Sequence, residues 1–183
     1  MKKINFILRF VYSLICILFM IKNIISLNIS KIILSILIMF LVYIPKLKKD
    51  INEKLLFIYY IYILFTLIIG YLFNFFDIFI YYDVFIHFSL GFSGSLIGLM
   101  ILRKFNIDYK LFNIIFMIFT VLFIAGVWEI LEYLIDIIFK CDLQDVSTGV
   151  RDTIEDVSSA FTCSIIFSIY YYFNKNKVDS LFI

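Results

Sequence analysis

Proline is almost missing from this 183-residue sequence: Pro45 is the only one, and no repeat or low-complexity tract is present. That excludes the Pro-rich and biased linkers that separate domains. Cysteine is scarce and scattered. Cys16, Cys141 and Cys163 are an odd set without disulfide or metal-ligand spacing, so Cys16 and Cys163 read as packing residues and Cys141 as a loop residue of no specific role. Charge of one sign is not in excess, with a formal net charge of +2, which argues against nucleic acid as a partner. Histidine occurs once, at His87, so any ligand set drawn from this chain is rich in oxygen. The first residues, "MKKINFILRFVYSLICILFMIKN", have a basic start and an apolar run but no small-residue cleavage site, and predict a retained first span.

Apolar residues are abundant instead. They make up 64% of the chain, a composition of polytopic membrane proteins and not of soluble domains. A span needs about 20 apolar residues, and six stretches qualify, roughly 5–22, 30–45, 55–74, 83–102, 112–139 and 156–173. Helices are the expected form, because an open sheet would leave backbone groups unpaired in lipid. The expectation is therefore an all-α polytopic membrane bundle of about six transmembrane helices, one integral membrane domain over residues 1–183. Pro45 followed by "KLKKD" ends the second span. "NFFDIFIYYD" mixes aromatics and acids as a segment at the headgroup level would. In "GFSGSLIG" the small residues Gly91, Gly94, Ser95 and Gly98 stand at spacings that let another helix approach closely.

With six spans, most of the sixteen basic residues, including Lys2, Lys46, Lys48, Arg103 and Lys175, fall on one face. The positive-inside rule makes that face cytoplasmic, with both termini inside a cell membrane. Most acids then sort to the other face: Asp77, Asp83, Glu129, Glu132, Asp136, Asp142, Asp145, Asp152, Glu155 and Asp156, together with His87.

Several of these acids lie within the spans. Glu129 stands about 15 Å along the helix axis from Phe139 at 1.5 Å per residue, near mid-membrane. An ionised carboxylate there costs roughly 2.5–3.5 kcal/mol, while each Leu, Ile or Phe returns about 0.3–0.6. Glu129, Glu132 and Asp136 share one stripe at i, i+3, i+7, and that stripe is expected to face inward. Asp83 and His87 are i, i+4 at the start of the fourth span, and Asp152 and Asp156 are i, i+4 at the start of the sixth, with Glu155 and Ser159 nearby.

Three helix segments thus bring carboxylates and one imidazole to one level. The expected metal ligands are Asp83, His87, Glu129, Glu132, Asp152 and Asp156, and Glu129 and Glu132 are the expected catalytic residues. Such a set suits a divalent cation such as magnesium, manganese, calcium, zinc or iron. Simpler roles compete with this. Asp152 with Glu155 has the form of a capping box, Asp83 that of an N-cap, Asp136 is near enough to the interface to be solvated, Asp142 and Asp145 read as solvated loop acids, and Trp128 reads as packing.

"DVFIHFSLGF" with "WEILEYL" and "GVRDTIED" resembles the YjdF-like bacterial inner-membrane proteins, a family without an assigned activity, and is more loosely similar to the VanZ-like proteins. The resemblance covers about residues 80–165. It implies a six-span fold and a shared cluster of acids and histidine. In the family the last motif often reads Gly-Asp-x-Trp-Asp-Thr-x-x-Asp; here Gly149 and Arg151 stand in place of its first Asp and its Trp.

Two function classes fit. One is a divalent-metal-dependent enzyme acting on a lipid headgroup or a lipid-linked envelope substrate, with membrane lipids as partners. No Ser-His-Asp order or phosphatase signature is present, and Arg151 is the basic residue best placed for a phosphate. The other is a cation- or proton-coupled transporter, which would need a polar route past Ser13, Ser35, Asn113 and Thr120. A structural or partner-binding membrane protein, its acids paired among themselves, is the remaining alternative.

Overall fold

The computed structural model describes residues 1–47, 52–139 and 149–182, and among them every regular element is helical. Cys141, Asp142 and Asp145 lie outside the described residues. The helices are α1 (Lys2–Ile25), α2 (Ile29–Tyr43), α3 (Glu53–Ile63), α4 (Phe75–Ile78), α5 (Tyr82–Lys104), α6 (Lys110–Phe139) and α7 (Gly149–Asp179). A 3₁₀ turn, Ile44–Leu47, follows α2 where Pro45 cannot continue an α-helical ladder. A π-helix, Leu64–Leu72, continues α3.

Among the described residues five segments are long and apolar enough to cross a membrane: Lys2–Ile25, Ile29–Lys46, Glu53–Leu72, Tyr82–Lys104 and Lys110–Ile138. The sixth expected span falls in α7, whose serines and Tyr170–Tyr172 dilute its apolar character. Yet α7 travels the length of α5. Its Asp156 approaches His87 near one end of α5, and its Asp179 binds Arg103 near the other.

The chain forms two compact units, Met1–Tyr82 and Asp83–Phe182. In the first, Tyr12, Cys16, Ile38, Val42, Tyr60 and Ile68 build a buried core across α1, α2, α3 and the π-helix. Its polar groups are tied to backbone. The Tyr12 hydroxyl donates to the Tyr60 carbonyl at 3.0 Å, and the Tyr60 hydroxyl donates to the Val42 carbonyl at 3.2 Å. Asn28 caps α2 through the Lys31 amide, and the Lys31 ammonium binds the Tyr71 carbonyl and Asn74. Cys16 and Cys163 are both free and buried, in keeping with packing roles.

In the second unit α5 lies against both other long helices, and its glycines make that possible. A Cβ at Gly94 would meet Val121 at 3.0 Å, and one at Gly98 would meet the Thr120 hydroxyl at 3.0 Å, so this part of α5 seats on α6. A Cβ at Gly91 would lie 2.3 Å from the Ala160 carbonyl oxygen, so that turn seats on α7. The buried face of α6 is Asn113, Met117, Val121, Ala125, Glu129 and Glu132, a continuous stripe at i, i+4 closed by an i+3 step. The acids of α6 therefore share the face that its apolar residues use for packing.

The end of this unit away from His87 is fastened by a polar clasp. Arg103 donates to Asp179 at 2.6 Å, Asp108 at 2.7 Å, the Tyr171 hydroxyl at 3.0 Å and the Ile107 carbonyl at 3.1 Å. Asn113 donates to the same hydroxyl at 2.8 Å, and Lys175 to Asp108 at 2.7 Å. The non-helical backbone at Asn174 bends α7 just ahead of Lys175 and Asp179. The Lys175 hydrogen bond, then Arg103, holds the Asp108 carboxyl below its ordinary value near 3.8. A depressed carboxyl stabilises the fold above its unfolded value and loses that contribution as pH falls through the folded one. Arg103→Ala is expected to cost about 1–2 kcal/mol, a fall of roughly 2–8 °C in the Tm of detergent-solubilised protein, because these bonds are only partly shielded from solvent. An unchanged Tm would show that the clasp contributes no stability.

Candidate metal centre

Each helix of the second unit delivers its site residues by helical spacing alone. On α5, Asp83 lies inside the first turn and not ahead of it as an N-cap would, and His87 follows one turn later. On α6, Glu129 and Glu132 end the buried stripe, 4% and 5% exposed. On α7, Asp152 lies in the first turn and Asp156 one turn on, 1% exposed. The inward orientation expected of Glu129 and Glu132 is met. Asp136, the third member of that stripe, is half-buried.

The imidazole of His87 is the hub. Its Nε2 stands 3.6 Å from Asp83 Oδ1, 3.6 Å from Glu129 Oε1 and 3.9 Å from Asp156 Oδ2, with the ring 2% exposed as a residue. These separations are too long for hydrogen bonds, which close near 2.7–3.2 Å. They are near the spacing of ligand atoms around one cation, about 3.3–3.4 Å for a tetrahedral site with bonds of 2.0–2.1 Å. Asp83, His87 and Asp156 each offer a ligand atom within 4.8 Å of the others, a group able to hold a metal ion.

Hydrogen bonding does not account for this arrangement. His87 Nδ1 and both oxygens of Asp156 are buried without a hydrogen-bond partner. Buried polar atoms are nearly always bonded, and each orphan costs about 1–3 kcal/mol. The donor set, one nitrogen and several carboxylate oxygens, matches a hard or borderline divalent cation.

The surroundings add one residue. Trp128 donates its Nε1–H to Glu132 Oε1 at 2.7 Å across one turn of α6. The sequence reading assigned Trp128 to packing; the signal available was its i, i+4 spacing to Glu132. Of the six expected ligands, Asp83, His87 and Asp156 are brought within 4.8 Å of one another, and Glu129 Oε1 lies 3.6 Å from His87 Nε2. Glu155 does not join them. It is exposed and takes a 2.7 Å hydrogen bond from Arg151, itself a surface residue. That pair occupies the cation best placed to hold a phosphate.

Residues 4–177 match the family described as Predicted membrane protein (DUF2238), and the chain belongs to that family. No curated protein and no solved structure matches it. The expectation of an uncharacterised family of integral membrane proteins is thereby met.

Proposed function

We propose that this family member is a membrane-embedded, divalent-metal-dependent enzyme acting on a lipid or lipid-linked substrate. Asp83, His87 and Asp156 hold the cation, and Glu129 moves the proton. The observation that carries this reading is the trio of ligand atoms gathered within 4.8 Å in a buried site where His87 Nδ1 and the whole Asp156 carboxylate have no hydrogen-bond partner. Three protein ligands leave a coordination position open, the arrangement of catalytic rather than structural sites. A bound divalent ion would supply water acidified toward neutrality. Glu129 Oε1, 3.6 Å from the ligating imidazole nitrogen, is placed to accept a proton from such a water.

The distribution of Lys and Arg supports placing this end of the second unit at the outer surface, with both termini cytoplasmic. Cysteine introduced at Ser180, in a background without the three native cysteines, should then react with impermeant reagents only after the membrane is opened. Labelling in intact cells would invert the map.

Transport is the weaker alternative because the packing onward from the site is apolar. Met117, Val121 and Leu99 are fully buried there. Ser95, Thr120 and Ser164 direct their hydroxyls to the carbonyls of Gly91, Phe116 and Phe161 on their own helices. Ser168 is the buried hydroxyl that favours a route, having no partner. Cation flux in proteoliposomes that vanishes in Glu132→Gln would move the assignment to transport.

The enzyme reading is tested by metal content and turnover together. Protein purified in detergent should carry divalent metal, His87→Ala should carry none, and Glu129→Gln should keep the metal while losing hydrolysis of phosphatidylglycerol or of a polyprenyl diphosphate in mixed micelles. Wild-type protein that binds no divalent ion would overturn the proposal.

A further inference from the structure

The start of α5 carries the most exposed ligand of the trio, and it follows a run of exposed chain. Residues 77–81 are all exposed, and the Asp83 side chain is 32% exposed against 3% for His87. Between Leu72 and Ile86 the buried residue is Tyr82. Helix ends fray, because the first turn lacks part of its hydrogen-bond ladder. A ligand in that turn is held no better than the turn itself.

Tyr82 supplies the hold. Its hydroxyl donates to the Phe65 carbonyl at 2.7 Å, within the π-helix Leu64–Leu72. Its ring meets those of Phe75 and Phe76 edge-on, with centroids 5.1 and 5.2 Å away. The Phe76 ring is itself seated over Gly70 of the π-helix and beside Tyr71. The Tyr82 amide donates to the Phe79 carbonyl at 2.8 Å, which satisfies one of the N–H groups that a helix start leaves over. Backbone and side chain are thus both fixed at the residue before Asp83.

We propose that Tyr82 is a positioning residue of the metal centre: by tying the first turn of α5 to the π-helix, it holds the Asp83 carboxylate ready for the cation. The role rests on the metal-centre reading above and deepens it. Asp83 Oδ1 stands 3.6 Å from His87 Nε2, and that separation requires the turn between the two residues to be formed. When the turn is loose, the cation must order it on binding, and affinity falls in proportion to the fraction of molecules in which it is formed. A residue that only packs acts on the stability of the fold. A positioning residue acts through the carboxylate it holds.

The test is titration of the intact, metal-stripped protein in detergent with Mn²⁺, with Tm measured alongside to establish folding. Tyr82→Phe keeps the ring and removes one hydrogen bond, so its affinity should fall about three- to tenfold. In an Asp83→Asn background the same substitution should leave the remaining affinity unchanged, since no carboxylate is there to be held. Tyr12→Phe removes a bond of the same kind, the 3.0 Å one to the Tyr60 carbonyl, and should lower Tm while binding Mn²⁺ as the wild type does. Where Asp83→Asn binds too weakly to titrate, amide hydrogen exchange in the stripped proteins decides: the Ile86 and His87 amides, which close the first turn of α5, should exchange faster in Tyr82→Phe and not in Tyr12→Phe. Wild-type affinity in Tyr82→Phe, an equal loss in the Asp83→Asn background, or unchanged exchange overturns the positioning role and leaves the metal centre standing. Wild-type protein that binds no Mn²⁺ overturns both.

Discussion

Stripping divalent metal from the wild-type protein should lower its Tm in detergent by roughly 8–16 °C, and Asp156→Asn should abolish that dependence. A ligand bound only by the folded state and present at a thousand times its Kd stabilises it by about 4.1 kcal/mol, and for a chain of this length 1 kcal/mol corresponds to about 2–4 °C. The sign for Asp156→Asn is the informative part. In stripped wild type, the Asp156 carboxylate is a buried group without hydrogen bonds facing Asp83, Glu129 and His87. Replacing it with an uncharged amide of the same shape removes one acid from a crowded acidic group and with it any like-charge repulsion it exerts. Asp156→Asn should therefore melt above stripped wild type, below metal-loaded wild type, and at one temperature with or without metal. An ordinary structural carboxylate behaves in the opposite way: its loss destabilises in every condition. Differential scanning fluorimetry with and without chelator distinguishes the two, and a variant that melts below stripped wild type would remove Asp156 from the ligand set.

The helical spacing of the candidate residues was legible in the sequence. The i, i+4 pairs Asp83/His87 and Asp152/Asp156 and the i, i+3 pair Glu129/Glu132 predict three ligand-bearing faces, and burial places Glu129, Glu132 and Asp156 inward as expected. The span boundaries follow for the same reason. The stretch expected at about 83–102 is α5, Tyr82–Lys104, and that expected at about 112–139 is α6, Lys110–Phe139. What could not be read depends on contacts between helices or on backbone hydrogen bonding. Average apolarity over a window is indifferent to whether a carbonyl accepts from four or five residues on, so the π-helix at Leu64–Leu72 has no signature in composition. Arg103 reads as one of many basic residues on the cytoplasmic face, while its partners Tyr171 and Asp179 are separated from it by 68 and 76 positions. The small residues of α5 read as a single packing face. In the structure they divide, Gly94 and Gly98 toward α6 and Gly91 toward α7.

That division makes Gly91 the position where the smallest substitution has the largest effect on the site. A Cβ there would lie 2.3 Å from the Ala160 carbonyl oxygen, 2.6 Å from Cys163 Cβ and 3.0 Å from the Ser164 amide nitrogen. Two of these atoms are backbone and the third is fixed to it, so no rotamer change relieves the clash and the helices must part by about 1 Å to restore ordinary contact. His87 stands one turn from Gly91 on α5, and Asp156 one turn from Ala160 on α7. Metal ligands hold their distances within about 0.2 Å, so a separation of that size dismantles the pairing of His87 with Asp156. Gly91→Ala should weaken divalent-ion binding at least tenfold and lower the Tm, despite the gain of about 1 kcal/mol in helix propensity that alanine brings. Gly126→Ala is the matched control. It makes the same change within α6 at a position where nothing lies within 4 Å, so it should bind metal as the wild type does and melt at the same temperature or higher. Isothermal titration with Mn²⁺ on the three proteins reads the contrast directly. Equal affinity in Gly91→Ala and Gly126→Ala would mean that the approach of α5 to α7 does not set the geometry of the ligands.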